Sequence, residues 1–161
     1  MSIEFRTRNI FEQDDIEMII HQANCMNTMG SGVAKQVATL YPGAVEADNR
    51  TKPGDKSKLG SFTEFTDQKI HKTIVNMYSQ YNYLPRGVCH TDYDAMRKAL
   101  LEIIEDYGTA KIFGIDKLVV GVPYLMGCDR GGGDWNKVMA ILTELFKDNE
   151  DFHLVICRLQ N

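Results

Sequence analysis

The chain of 161 residues has the length of one domain, long enough to bury roughly 70% of its unfolded surface without metal or disulfide staples. Its 18 Lys and Arg against 22 Asp and Glu leave a net charge of −4. That balance excludes binding of nucleic acid or anionic lipid through an uncompensated basic surface, though not capture of a small anion by backbone N–H groups.

Short apolar runs alternate with helical periodicity, the pattern of an α/β protein. Residues 3–11 alternate and read as a strand, and residues 16–20 form an apolar run of the buried-strand type. Residues 24–32 are polar, carry Gly30 and Gly32, and read as a loop. Val33, Val37, Leu40 and Tyr41 then recur at helical spacing up to Pro42, with a second short helix over 44–49. Residues 51–58 form a polar loop whose lysines, Lys52, Lys56 and Lys58, read as a solvated face. Strands follow at 61–66 and 72–78, joined by a turn near Asp67 and Gln68. After an aromatic loop over 81–88, Thr91 is the expected N-cap of a helix with Asp94 in the capping-box position. Tyr93, Met96, Leu100, Ile103, Ile104 and Tyr107 share its apolar face, and Gly108 ends it. A strand over 117–122, a glycine-dense loop over 127–133, a helix over 135–146 and a strand over 152–159 complete the chain. With no repeat or linker, residues 1–161 read as one domain with a mixed sheet, because two neighbouring strands lack a helix between them.

No run approaches the ~20 apolar residues of a membrane span, and the first residues lack a signal-peptide apolar region. Cys25, Cys89, Cys128 and Cys157 are spread singly without a C-x-x-C pair, and the four histidines show no metal-ligand spacing. The expected setting is a reducing cytoplasm, with no metal and no cofactor.

Two loops carry the candidate chemistry, because each follows a buried strand and precedes a helix. In the first, Gly30 and Gly32 let the backbone aim N–H groups at a ligand beside a helix N-terminus. In the second, Gly127, Gly131, Gly132 and Gly133 repeat the construction, with Arg130 as a further anion contact. Ligands of open α/β sheets bind outside the carboxyl ends of the strands, so two such loops suit a diphosphate-bearing nucleotide. Each flanking residue has a plainer role open to it. Asn24 suits an Asx-turn, His21 a packed histidine and Asp134 a helix N-cap, while Tyr78, Tyr81 and Tyr83 suit either base stacking or a packed loop.

The segment Ile19, Ile20, His21, Gln22, Ala23, Asn24, Cys25, followed by Met29, Gly30, Ser31, Gly32, Val33 and Ala34, resembles the ADP-ribose-binding loop of macro domains. The stretch from Pro123 through Gly127 and Cys128 to Gly132, Gly133, Asp134 and Trp135 resembles the second phosphate loop of the same family. The branch it looks like holds the yeast-type ADP-ribose-1''-phosphate phosphatase and the terminal ADP-ribose protein glycohydrolase. Order and spacing agree over nearly the whole chain.

The resemblance implies a three-layer α/β/α macro domain with a mixed central sheet of about six strands. It implies that Gly30, Ser31, Gly32 and Val33 hold one phosphate. Gly127, Cys128, Asp129, Arg130, Gly131, Gly132 and Gly133 then embrace the other phosphate and the distal ribose. Asn24 bonds that ribose, Asn9 and Ile10 lie at the adenine, and Asn9 stands where relatives carry an aspartate. Asp134 is the carboxylate expected beside the distal ribose, with Asp129 the other choice. The aspartate of deacetylase-type relatives corresponds to Ala34, and the glycohydrolase lysine falls near Tyr78 or Ser79, neither of which can form its adduct.

The implied activity is hydrolysis of ADP-ribose 1''-phosphate, or of related 1''-linked derivatives, by water attack, with Asp134, Asn24 and His21 as catalytic candidates. The alternative is a non-catalytic module that binds ADP-ribose or ADP-ribosylated protein, with neither a membrane nor a nucleic acid as partner.

Overall fold

The computed structural model describes residues 2–108 and 116–159. Six strands, β1 (Ile3–Arg6), β2 (Met18–Asn24), β3 (Phe62–Asp67), β4 (Lys72–Gln80), β5 (Leu118–Pro123) and β6 (Phe152–Cys157), form one sheet in the order β1-β6-β5-β2-β4-β3. All neighbours are parallel except the β3–β4 hairpin, so the sheet is mixed, as the missing helix between those strands predicts. Among the described residues four α-helices cover it: α1 (Gly32–Leu40), α2 (Pro42–Asn49), α3 (Tyr93–Tyr107) and α4 (Trp135–Phe146). No helix among the described residues is long and apolar enough to cross a membrane.

Strand alternation sorts the core into two layers. Met18 and Ile20 of β2, Val120 and Val122 of β5, and Leu154 and Ile156 of β6 face α3 and α4, where Leu100, Ile103, Leu142 and Phe146 are fully buried. Phe146 meets Phe152 edge-on, with ring centroids 5.9 Å apart. On the other face Ile19, Ile74 and Val155 pack against Val37 of α1, Ala44 of α2 and Tyr41 at the junction between the two helices. Both faces of the inner strands are thus covered, which is why β2 and β5 read as apolar runs without clean alternation.

Several element boundaries differ from the sequence reading by two residues or more, among them the start of α2 and the ends of β4 and β6, and three of the differences have a clear local reason. The first strand stops at Arg6, and Asn9 caps a 3-10 turn over Ile10–Glu12 by accepting a bond from the Phe11 N–H. Strand β2 runs on to Asn24. Its end looked like a loop because Gln22 and Asn24 are polar, yet they hold strand positions beside a polar cleft. The cap of α3 is Asp92, whose carboxylate accepts from the Ala95 N–H, and Thr91 is used elsewhere. Among the lysines of the 51–58 segment, Lys58 is buried. Its Nζ donates to the Asn27 Oδ1 and the Cys25 carbonyl and lies 4.8 Å over the Tyr78 ring.

His21 and Asn76 face each other in the β2–β4 register and are both buried. The Asn76 amide donates to the Ala44 carbonyl and the Thr63 hydroxyl, so its Oδ1 is the acceptor for the His21 Nε2–H at 2.7 Å. That fixes the tautomer and leaves Nδ1 as a buried lone pair with no protein partner. Burial pushes the His21 pKa below its ordinary value of 6.5, against the smaller opposing effects of the Asn76 bond and the Asp48 charge.

The imidazole is therefore neutral in the fold, whereas in the unfolded chain it takes up a proton near 6.5. Its contribution to stability is complete above that pH and is lost as the pH falls toward the lower folded value. We expect the urea midpoint to drop between pH 7.5 and 5.5, and His21→Asn to flatten that drop. An equal slope in both proteins would contradict the assignment.

Candidate functional site

At the carboxyl ends of β2 and β5 lies a cleft of about 300 Å³. It opens there because the chain leaves β2 toward α1 on one face and leaves β5 toward α4 on the other.

One wall is the first glycine loop. Gly32 begins α1 at φ +60°, a backbone state that glycine adopts without the strain of a Cβ. Ser31 stands at the N-cap but makes no side-chain cap bond, in contrast to Asp92 of α3 and Asp134 of α4. The first helical bond outside the turn is Lys35 N–H to the Ser31 carbonyl. The N–H groups of Gly32, Val33 and Ala34 consequently have no acceptor within the helix, and all three residues line the cleft. The positive end of the helix dipole is open at this wall.

The other wall is the second glycine loop, and here it is the carbonyls that are tied down. The Gly127 carbonyl accepts from the Thr91 hydroxyl at 2.5 Å and the Gly133 N–H at 2.9 Å. The Gly131 carbonyl accepts from the His90 and Thr91 N–H groups. The N–H groups of Asp129, Arg130 and Gly131 find no protein acceptor among the described residues. Carbonyls bound to the protein and free N–H groups at the cleft make a loop suited to an anion. The arrangement needs glycine: at Gly131 a Cβ would lie within 2.7 Å of the Gly127 oxygen, the Thr91 Oγ1 and the Gln22 Nε2.

Arg130 spans the two walls, its Cγ lying 3.9 Å from where Gly32 would carry a Cβ. Arg86 and Tyr83 enter from the 81–90 segment, and neither arginine is paired with a carboxylate among the described residues. Asp129 is the one carboxylate among the described residues that line the cleft.

Of the residues singled out from sequence, His21, Asn24, Gly30, Ser31, Gly32, Val33, Gly127, Asp129, Arg130 and Gly131 all line this cleft. Asn24 does so while closing its own loop, its Oδ1 accepting from the Met26 N–H and its Nδ2 donating to the Thr28 carbonyl. Asn9, Ile10, Cys128, Gly132, Gly133 and Asp134 are not among the lining residues. Ile10 is buried in the α1–α2 layer, near the site of a Cβ on Gly121. Cys128 donates to the Met126 carbonyl, and burial raises its thiol to about 11. The Asp134 carboxylate accepts from the Asn136 N–H through Oδ1 and caps α4. Of the three tyrosines, Tyr83 lines the cleft, Tyr78 is fully buried and Tyr81 donates to the Gly54 carbonyl.

Gln80 and Arg86 line the cleft without any signal in the sequence, Gln22 lines it having entered only as part of the resembling segment, and Thr91, read as a helix cap, bonds the second glycine loop. Gln22 sits two residues before Asn24 on the same strand face, and that spacing was the available signal.

No protein-family model matches the chain. Over 129 residues, 77% of its length and 76% of the relative's, it is 35% identical to the uncharacterized 17.5 kDa protein in the tk-vs intergenic region of Enterobacteria phage T4. Its structure is similar to the macrodomain of Mycobacterium tuberculosis DarG, with a TM-score of 0.74, 22% identity and 98% of each chain covered. It is also similar to Thermosipho africanus DarTG in complex with ADP-ribose, at a TM-score of 0.69, 17% identity, and coverage of 91% of this chain and 39% of that one. The chain belongs to the family of the phage T4 17.5 kDa protein, and its fold is that of a macrodomain.

Proposed function

We propose that the cleft binds ADP-ribose and that the protein hydrolyses 1''-linked ADP-ribose derivatives, ADP-ribose 1''-phosphate first among them. The observation that carries the reading is the pair of glycine walls with unfilled N–H groups, bridged by Arg130. A diphosphate matches two such walls, each of which offers donors without a carboxylate other than Asp129. The solved DarTG relative in complex with ADP-ribose supports the choice of nucleotide. So does the likeness of both loops to the phosphatase and glycohydrolase branch of macro domains.

In this reading the first loop holds one phosphate at the N-terminus of α1, and the second loop holds the other. The distal ribose then lies toward Asn24 and Asp129. Asp129 takes the role first given to Asp134, because Asp134 is engaged at the start of α4. Its carboxylate accepts a proton from water as the water oxygen bonds to phosphorus and the P–O1'' bond breaks; that proton then passes to the departing O1'', releasing ADP-ribose and phosphate and restoring the carboxylate. The loop N–H groups stabilise charge that builds on the phosphoryl oxygens. The buried, neutral His21 is confined to accepting a hydrogen bond at Nδ1.

A second reading, a module that binds ADP-ribose without turnover, is favoured by one observation: Asn24 and Asp134 bond within the protein, and His21 keeps free only a buried Nδ1 lone pair.

Calorimetry should find ADP-ribose bound about tenfold more tightly than ADP, because only the former reaches the Asn24 end. Arg130→Ala should weaken ADP-ribose by about tenfold or more, the worth of one charge-assisted contact. Equal affinity for ADP and ADP-ribose would contradict the distal-ribose placement.

With ADP-ribose 1''-phosphate, phosphate release should fall about 100-fold in Asp129→Asn, the contribution of a positioned base. Asp134→Ala should instead lower stability by about 1 kcal/mol through loss of the cap. Full turnover in Asp129→Asn would remove that residue from the reaction, and tight binding without any phosphate release would leave the non-catalytic module.

A further inference from the structure

We infer that Gln22 is a positioning residue that sets both loops flanking the far side of the cleft, acting through a one-directional chain of hydrogen bonds that runs to Gly127 and to Asn82. The inference deepens the proposed ADP-ribose site and rests on that reading for its effect on affinity.

The Gln22 amide is held at one end and drives two branches from the other. Its Oε1 accepts from the Ser79 hydroxyl at 2.7 Å, and the donor side of the amide is fixed at the far ends of the chain, where the Asn82 and Gly127 carbonyls can only accept. Both Nε2 hydrogens are then used: one goes to the Gln80 Oε1 and one to the Thr91 Oγ1, each at 3.0 Å. Because the Thr91 oxygen is accepting there, its own proton is free for the Gly127 carbonyl at 2.5 Å. Because the Gln80 oxygen is accepting, its Nε2 donates to the Asn82 carbonyl at 2.7 Å. One branch therefore anchors the second glycine loop, and the other anchors the 81–90 segment that brings Tyr83 and Arg86 to the cleft.

Each group in this chain has its donor and acceptor roles set by its neighbour, so the polarity matters as much as the contacts. Glu at position 22 has the same shape but only acceptor oxygens when ionised. It would face the Gln80 oxygen with like polarity and draw the Thr91 proton away from Gly127. The Gly127 carbonyl is then held by the Gly133 N–H alone, and the loop loses one of the two bonds that keep its carbonyl turned away from the ligand space. Thr91 is held for this task by a bridge to Gln80 and by the Asp92 N–H to the Ser79 carbonyl. This use of Thr91 explains why the helix cap falls to the next residue.

The test combines amide hydrogen exchange of the ligand-free protein with calorimetric titration of ADP-ribose, on Gln22→Glu, Thr91→Val and Thr91→Ser. In Gln22→Glu and Thr91→Val, the Gly133, His90 and Thr91 amides should exchange about tenfold faster, and ADP-ribose should bind about tenfold more weakly, the value of one hydrogen bond of this kind. Amides in β6 should keep their protection, and Thr91→Ser, which retains the hydroxyl, should match the wild type in both measurements. Unchanged loop exchange in Thr91→Val, or a Thr91→Ser protein as impaired as Thr91→Val, would overturn the inference. If the wild type binds no ADP-ribose, the functional reading falls, and loop exchange alone decides the role of Gln22.

Discussion

The site depends on one topological constraint: β2 and β5 are adjacent and parallel, and the chain leaves them toward opposite layers. A strand that continued into a helix on the same side as its neighbour's would close the space above the sheet. Divergence opens it, and it sets two strand-to-helix turns facing each other. The apolar pattern of the strands enforces the arrangement from below. Ile19 and Val155 need cover from α1 and α2, while Ile20, Val122 and Ile156 need cover from α3 and α4, so neither helix pair can migrate without exposing core.

Given that frame, the electrostatics of the cleft come from backbone more than from side-chain charge. The net charge is −4, yet the walls offer the uncapped first turn of α1 and a loop whose carbonyls are bonded away from the ligand space. Arg86 and Arg130 add local positive charge without a basic surface. A small anion is well served by this design.

Much of this was legible before any coordinates. Helices α2 and α4, the β3–β4 hairpin and the glycine loops follow from apolar spacing, turn residues and breakers that act locally. What stayed hidden were side chains whose roles depend on distant partners. Lys58 looks solvated beside Lys52 and Lys56, but a buried acceptor on Asn27 and the Tyr78 ring draw it inward. Thr91 has the chemistry of an N-cap, yet Gly127, 36 residues away, claims its hydroxyl. Asp134 caps α4 while Asp129 lines the cleft, a division that depends on how the second glycine loop folds back and not on local spacing. The end of β2 was misread because polar residues facing a cleft mimic a loop.

The central claim is that backbone N–H groups of both glycine loops hold the ligand. It is tested most directly by following assigned amide resonances of the isotopically labelled protein as ADP-ribose is added. The account predicts the largest shifts at Gly32, Val33 and Ala34 on one wall and at Asp129, Arg130 and Gly131 on the other, moving together with a single affinity. Shifts confined to one loop, or centred on residues away from the carboxyl ends of β2 and β5, would contradict it.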